Sequence, residues 1–158
     1  GPQGATGAQG STGAGHTLVR KTAVQSVSNT TLTNDSALSV AMGANEVWEF
    51  EAWVLCTSAS STPDIKFTFT VPTGGSIQWV SSAQDLSTAT VVNNAAVSAS
   101  ATTQTAAIVA NSTNVIRVRG YATTGATSGN LQFQWAQSSS NGNATQVLAN
   151  SFLKAGEF

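Results

Sequence analysis

The chain has 158 residues, of which 8% are charged, and its formal net charge is −1. So small and balanced a charge excludes the strongly basic surface that nucleic-acid binding requires. No apolar run approaches the length of roughly 18 residues that crosses a bilayer, so the sequence also predicts no membrane insertion.

Glycine recurs at every third position of the first predicted domain, residues 1–15. The positions are Gly1, Gly4, Gly7, Gly10 and Gly13. In a collagen triple helix every third residue lies at a crowded axis that admits only glycine. We therefore predict a collagen-like stalk, roughly 45 Å long at about 3.1 Å per residue, and consequently a homotrimer. A flexible linker rich in Gly, Ala, Ser and Thr is the alternative.

Residues 16–158 form the second predicted domain, in which apolar and polar residues alternate. The clearest alternation lies at 38–42, 65–71 and 131–136. Further strands are predicted at 17–27, 47–55, 76–80, 88–92, 105–110, 114–121 and 146–153. The alanine-rich run 95–107 is predicted as strand plus loop, with a short helix as the alternative. About nine or ten short strands separated by turn residues indicate an all-β fold, an antiparallel jelly-roll-like β-sandwich.

The predicted strand 47–55 carries bulky residues on both of its faces. Trp48 and Phe50 lie on one face, whereas Val47, Trp53 and Leu55 lie on the other. A closed oligomer buries apolar side chains between its subunits. We therefore predict that Val47, Trp53 and Leu55 contact a neighbouring subunit of the trimer. The alternative is that all the tryptophans are ordinary core or rim residues.

The sequence shows no catalytic constellation, and we predict no enzyme activity, no cofactor and no metal site. His16 is the only histidine and is predicted to be a solvated linker residue, with an axial metal or anion site in the trimer as the alternative. Glu49 and Glu51 share one strand face and are expected to pair with Arg117 and Arg119, which have the same spacing. A catalytic carboxylate pair is the alternative for the two glutamates.

Cysteine and aspartate residues add two smaller expectations. Cys56 alternates with apolar residues and is predicted to be a small buried hydrophobe. Asp35, Asp64 and Asp85 each lie in a turn-like segment, so a calcium site in a loop is an alternative to their role as turn residues.

Five short motifs follow the stalk: VRKTAVQSV (19–27), EVW (46–48), PDIKF (63–67), QWAQ (134–137) and VLANSFL (147–153). A collagen-like stalk leading into these motifs resembles virion-associated fibre proteins of tailed bacteriophages and prophages. The layout is also similar to that of the collagen-stemmed, trimeric jelly-roll heads of the complement and tumour-necrosis-factor type. The resemblance implies a homotrimeric fibre on a virus particle, joined upstream to other virion proteins.

The resemblance further implies that the β domain is the outward tip of the fibre. Exposed aromatic rings stack on sugar rings, while amides bind hydroxyl groups. Trp79 and Tyr121, among loops rich in Asn, Gln and Thr, therefore predict contact with a glycan of the host surface. The alternative is a capsid decoration or trimerisation cap that binds no receptor.

Overall fold

The computed structural model describes residues 15–84, 91–93 and 96–158, and of 91–93 it describes only the backbone. The five stalk glycines, Asp85 and the beginning of the predicted strand 88–92 lie outside these residues. Within the described residues the chain is all-β, as the sequence predicts. This part of the chain has no helix long and apolar enough to cross a membrane.

The described residues form twelve strands. They are β1 (His16–Arg20), β2 (Gln25–Val27), β3 (Thr33–Met42), β4 (Val47–Ser58), β5 (Ile65–Thr70), β6 (Ser76–Gln84), β7 (Val91–Asn93), β8 (Gln104–Ala106), β9 (Asn114–Thr123), β10 (Gly129–Ala136), β11 (Thr145–Val147) and β12 (Phe152–Glu157).

The twelve strands pair as one long hairpin. β1 pairs with β12, β2 with β11, β3 with β10, β4 with β9, β5 with β8 and β6 with β7, always antiparallel. From the β3–β10 pair inward, successive pairs belong alternately to a small and a large sheet, and the hairpin is therefore rolled up. The large sheet has the order β1-β12-β4-β9-β6-β7, with β11 also paired to β4 and β2 paired to β11, and the small sheet has the order β3-β10-β5-β8. This winding is that of a jelly roll.

The core fills the space between the two sheets with alternate residues of each strand. Its centre is aromatic: the ring of Phe69 lies 5.0 Å from Phe50, 5.2 Å from Phe133 and 5.6 Å from Trp79, measured between ring centroids. The prediction for Cys56 is confirmed, since it is fully buried and this burial raises the pKa of its thiol to about 12.

Two predicted strands are each divided in two, at places that face one another. The predicted strand 17–27 is β1 and β2, and the predicted strand 146–153 is β11 and the start of β12. At the breaks the Lys21 N–H donates to the Ser151 carbonyl, and the Asn150 N–H donates to the Lys21 carbonyl. Asn150 has a φ of 70°, so the chain turns there instead of continuing as a strand.

Candidate functional site

The candidate site is the outward surface of the large sheet, which we call the large-sheet face. Its residues alternate along each strand with residues of the core. They are His16, Leu18 and Arg20 of β1; Phe152, Lys154 and Gly156 of β12; Val47, Glu49, Glu51, Trp53 and Leu55 of β4; Val115, Arg117, Arg119 and Tyr121 of β9; and Gln78, Val80 and Ser82 of β6.

Strand register arranges most of this face in three rows across the sheet. The first runs Arg20, Phe152, Trp53, Arg117, Ser82; the second Leu18, Lys154, Glu51, Arg119, Val80; and the third His16, Gly156, Glu49, Tyr121, Gln78. Four of the chain's six Lys and Arg residues lie here, with two of its seven Asp and Glu residues. The face therefore has a formal charge of +2, on a chain whose net charge is −1.

The side chain of His16, at the beginning of β1, reaches across the neighbouring strand β12 to Glu49 on β4. The His16 imidazole Nε2 lies 3.1 Å from the Glu49 carboxylate Oε1, and both side chains are half exposed. Gly156 lies between them on β12, and a Cβ placed there would be 2.7 Å from His16 Cδ2. The missing side chain at Gly156 thus leaves room for the His16–Glu49 contact. The prediction for His16 is therefore confirmed in part: its side chain is half exposed, as expected, but the residue begins strand β1 and is not part of a linker.

A pocket of about 130 Å³ surrounds this contact. It is lined by His16, Glu49, Phe50, Glu51, Arg119, Lys154 and Ala155. Glu51 lies directly across from Arg119 in the register, as the shared spacing predicted. The predicted ion pairs of Glu49 and Glu51 with Arg117 and Arg119 are wrong, however. In the part of the chain that the structure describes, the acidic groups in salt bridges are Glu49, with His16, and Asp35, with Lys21.

A second pocket, of about 440 Å³, lies at the other side of the face between β9 and β6. It is lined by Val80, Ser81, Ser82, Arg117, Val118 and Arg119. The Arg117 guanidinium carbon lies 4.4 Å from the centroid of the Trp53 ring, so a cation–π contact fixes both side chains. This pocket combines the exposed Val80 side chain with a cationic rim, since Ser81 and Val118 are buried and lie on the core side of their strands.

The structure gathers four of the five residues that the sequence proposed for contacts with partners. Val47, Trp53, Leu55 and Tyr121 all lie on the large-sheet face, where Val47 and Tyr121 are 46% and 45% exposed. Whether they contact another subunit or a glycan stays a prediction.

Trp79 is the exception among these residues. It is only 1% exposed and packs against Phe67 and Phe69 in the core. The expectation of an exposed ring at Trp79 is therefore wrong. The alternation of Ile77 and Trp79 with the exposed Gln78 and Val80 is the sequence signal that indicates this burial.

The aspartates have structural partners. Asp35 lies inside β3 rather than in a turn and forms a buried ion pair of 2.9 Å with the Lys21 ammonium, so the alternative of a calcium loop is wrong there. Asp64 accepts a hydrogen bond of 3.0 Å from the Ile108 N–H. Burial raises the pKa of its carboxyl above the ordinary value, and this hydrogen bond offsets only part of that rise. Among the described residues, no group of three or more His, Cys, Asp or Glu side chains is placed to hold a metal ion.

The outward surface of the small sheet differs in character, because neutral amides and hydroxyls dominate it. Gln134 donates to the Asn34 side chain at 2.8 Å, and Gln132 donates to the Asp35 carbonyl at 3.1 Å. The Thr68 hydroxyl donates to the Thr102 carbonyl at 2.7 Å. These groups bind within the domain, which leaves the large-sheet face as the better candidate for contact with a partner.

Comparison with known proteins finds no matching family model and no match among curated proteins. Three similar solved structures come from infectious bursal disease virus: the Gt strain (9% identity, TM-score 0.23), a mutant VP2 protein in derived T=1 particles (10%, 0.24) and the Gx strain (8%, 0.20). Each alignment covers 99% of this chain but only 40 to 42% of the viral chain. Similarities this low define neither the fold nor the function of this chain.

Proposed function

We propose that this chain is a non-enzymatic structural module of a virus particle, a homotrimeric head that holds three collagen-like stalks together. One observation carries the proposal: the Gly-X-Y segment ends where β1 begins, and β1 is the edge strand of the large sheet. Three wound stalks bring three copies of His16 towards one axis. The surface beside His16 is the large-sheet face, which we propose as the subunit interface.

The composition of the face supports this role. Leu18, Val47 and Tyr121 expose large apolar groups there, next to Trp53 and Leu55. Apolar side chains on such a surface become buried when a second copy covers them. The virion location and the phage fibre are supported by the resemblance of the motifs given above.

The architectural alternative is favoured over a receptor-binding tip. Trp79 is buried and offers no ring to a sugar, and Tyr121 lies on the proposed interface. Adhesion to a host glycan keeps one observation in its favour, the exposed Tyr121 ring opposite Gln78. A glycan array and host-cell binding assays test it, and loss of binding in Tyr121→Ala without loss of trimers would support adhesion.

Sedimentation of the full chain tests the proposed trimer. We expect the mass of three subunits, and we expect Val47→Asp to weaken association at least tenfold, because it would bury an unpaired carboxylate between subunits. Ala41→Asp is the matched control, since Ala41 is also exposed but lies on β3 in the small sheet. A single subunit at high protein concentration would contradict the proposal.

A further inference from the structure

One border of the large-sheet face exposes a large aliphatic side chain. Leu18 on the edge strand β1 is 63% exposed and points away from the core. Its neighbour across the sheet is the charged Lys154. A leucine this exposed on a sheet edge is a ready contact for a partner surface.

The opposite side of the face offers a recess of suitable size and chemistry on β6, the strand next to the edge strand β7. Val80 is 39% exposed at the pocket of about 440 Å³ between β6 and β9. Arg117 and Arg119 form its rim, whereas the Val118 side chain is 1% exposed and belongs to the core on the other side of the sheet. An aliphatic side chain entering here would meet Val80 and the methylene stems of the two arginines, while the guanidinium groups stay at the edge.

Leu18 and Val80 belong to the same row but cannot meet within one subunit. The row runs Leu18, Lys154, Glu51, Arg119, Val80, so the two ends are separated by four strand spacings. At about 4.8 Å per spacing the separation is about 19 Å. A contact between them therefore requires two chains.

Three-fold symmetry can bring Leu18 of one subunit next to Val80 of the following subunit. A contact between Leu18 of one subunit and Val80 of the next is heterologous, and a rotation of 120° closes it into a ring of three. Two points about 19 Å apart coincide after such a rotation when both lie about 11 Å from the axis. From Gly13, the last stalk glycine, to His16 the chain can span about 10 Å. The stalk can thus stay on the axis while β1 lies beside it.

We propose that Leu18 of each subunit inserts into the Val80 pocket of the next subunit around the three-fold axis. This inference rests on the proposed trimer and specifies which strands meet: β1 of one copy and β6–β9 of the next. Glu49 and Glu51 lie on β4 between the two borders, where they separate the positive charges of Lys154 and Arg119.

A disulfide between two introduced cysteines tests the contact. We expect the full chain with Leu18→Cys and Val80→Cys to give covalent trimers on mild oxidation, seen in a non-reducing denaturing gel. Each single variant should stay uncrosslinked, because the contact joins two different borders. The native Cys56 does not interfere, since it is fully buried. Leu18→Cys with Ser76→Cys is the matched control, because exposed Ser76 lies four residues, or about 13 Å, along β6 from Val80.

The outcomes separate this inference from the proposed function. A non-covalent trimer in sedimentation without crosslinked trimers in the gel would overturn the Leu18–Val80 contact and leave the trimer standing. A covalent dimer from either single variant would also overturn the contact, because it indicates a face-to-face arrangement. A single subunit in sedimentation would overturn both proposals. Leu18→Asp gives a second measure and should weaken association at least tenfold, with circular dichroism reporting that the β domain is folded.

Discussion

Two glycines decide how neighbouring strands fit together at single positions. Gly156 on β12 lets the His16 ring cross to Glu49. Gly120 on β9 lies between Phe50 and Trp79 in the register. At Gly156 the missing side chain makes room for the His16 ring, and at Gly120 it makes room for β6 at Gln78 and Trp79.

Replacing Gly120 by alanine tests this close fit. A Cβ at Gly120 would lie 2.3 Å from the Gln78 carbonyl oxygen and 2.6 Å from Trp79 Cβ, so the strands must separate. We expect Gly120→Ala to lower the free energy of unfolding by about 1–3 kcal/mol, the range for overpacked cores. Urea denaturation measures it. Gly142→Ala is the control, because a Cβ at Gly142 meets nothing within 4 Å, and equal stability of both variants would refute the explanation.

At the scale of elements, one buried ion pair joins the start of the domain to both sheets. Lys21 follows β1 and is 1% exposed, and its ammonium contacts both carboxylate oxygens of Asp35 on β3. The Asp35 carboxylate also accepts hydrogen bonds from the Leu38 N–H at 3.0 Å and from the Trp135 indole N–H at 3.2 Å. The pair thereby fixes the connection from β1 to β2 against the small sheet.

Removing the ammonium leaves the carboxylate of Asp35 buried without its partner. We expect Lys21→Met to destabilise the domain by about 3–5 kcal/mol, as for other buried ion pairs that lose one member. Thermal and urea unfolding measure the change. Lys66→Met, on the outward side of β5, should change stability by less than about 1 kcal/mol. A Lys21→Met protein as stable as the original chain would show that the pair is not needed.

The strand elements were largely predictable, whereas this pair was not. Strands 38–42, 65–71 and 131–136 alternate strictly because one side of each faces the core. Lys21 stands in the sequence among residues typical of a strand and signals nothing by itself. Its partner Asp35 is 14 residues away and Trp135 another 100 residues further on. Only the folded chain brings them together.

At the scale of the whole molecule, the proposed stalk and the proposed trimeric head would depend on each other unequally. The predicted stalk has 15 residues and one proline, and we expect it not to associate alone, so the head would raise the local concentration of its three strands. The proposed contact of Leu18 with the Val80 pocket would place the three β1 strands around the axis on which the stalk begins. Assembly should therefore start in the head.

A glycine substitution in the stalk tests this order of assembly. We expect Gly7→Ser to abolish or weaken the collagen signal in circular dichroism, because a side chain does not fit the triple-helix axis. The head should keep its β-sheet spectrum and its trimeric mass in sedimentation. Loss of the trimer in this variant would show that the stalk, and not the head, holds the subunits together.

The sequence alone determined the local patterns of this protein. A period of two indicated the strands and the burial of Cys56, because each strand has one side in the core, and a period of three in glycine indicated the stalk. Tertiary structure decided what depends on pairing between distant segments: the rolled hairpin, the burial of Lys21 with Asp35, the contact of His16 with Glu49 across Gly156, and the rows from Leu18 to Val80. Register between strands far apart in sequence sets these contacts, and no local pattern encodes that register.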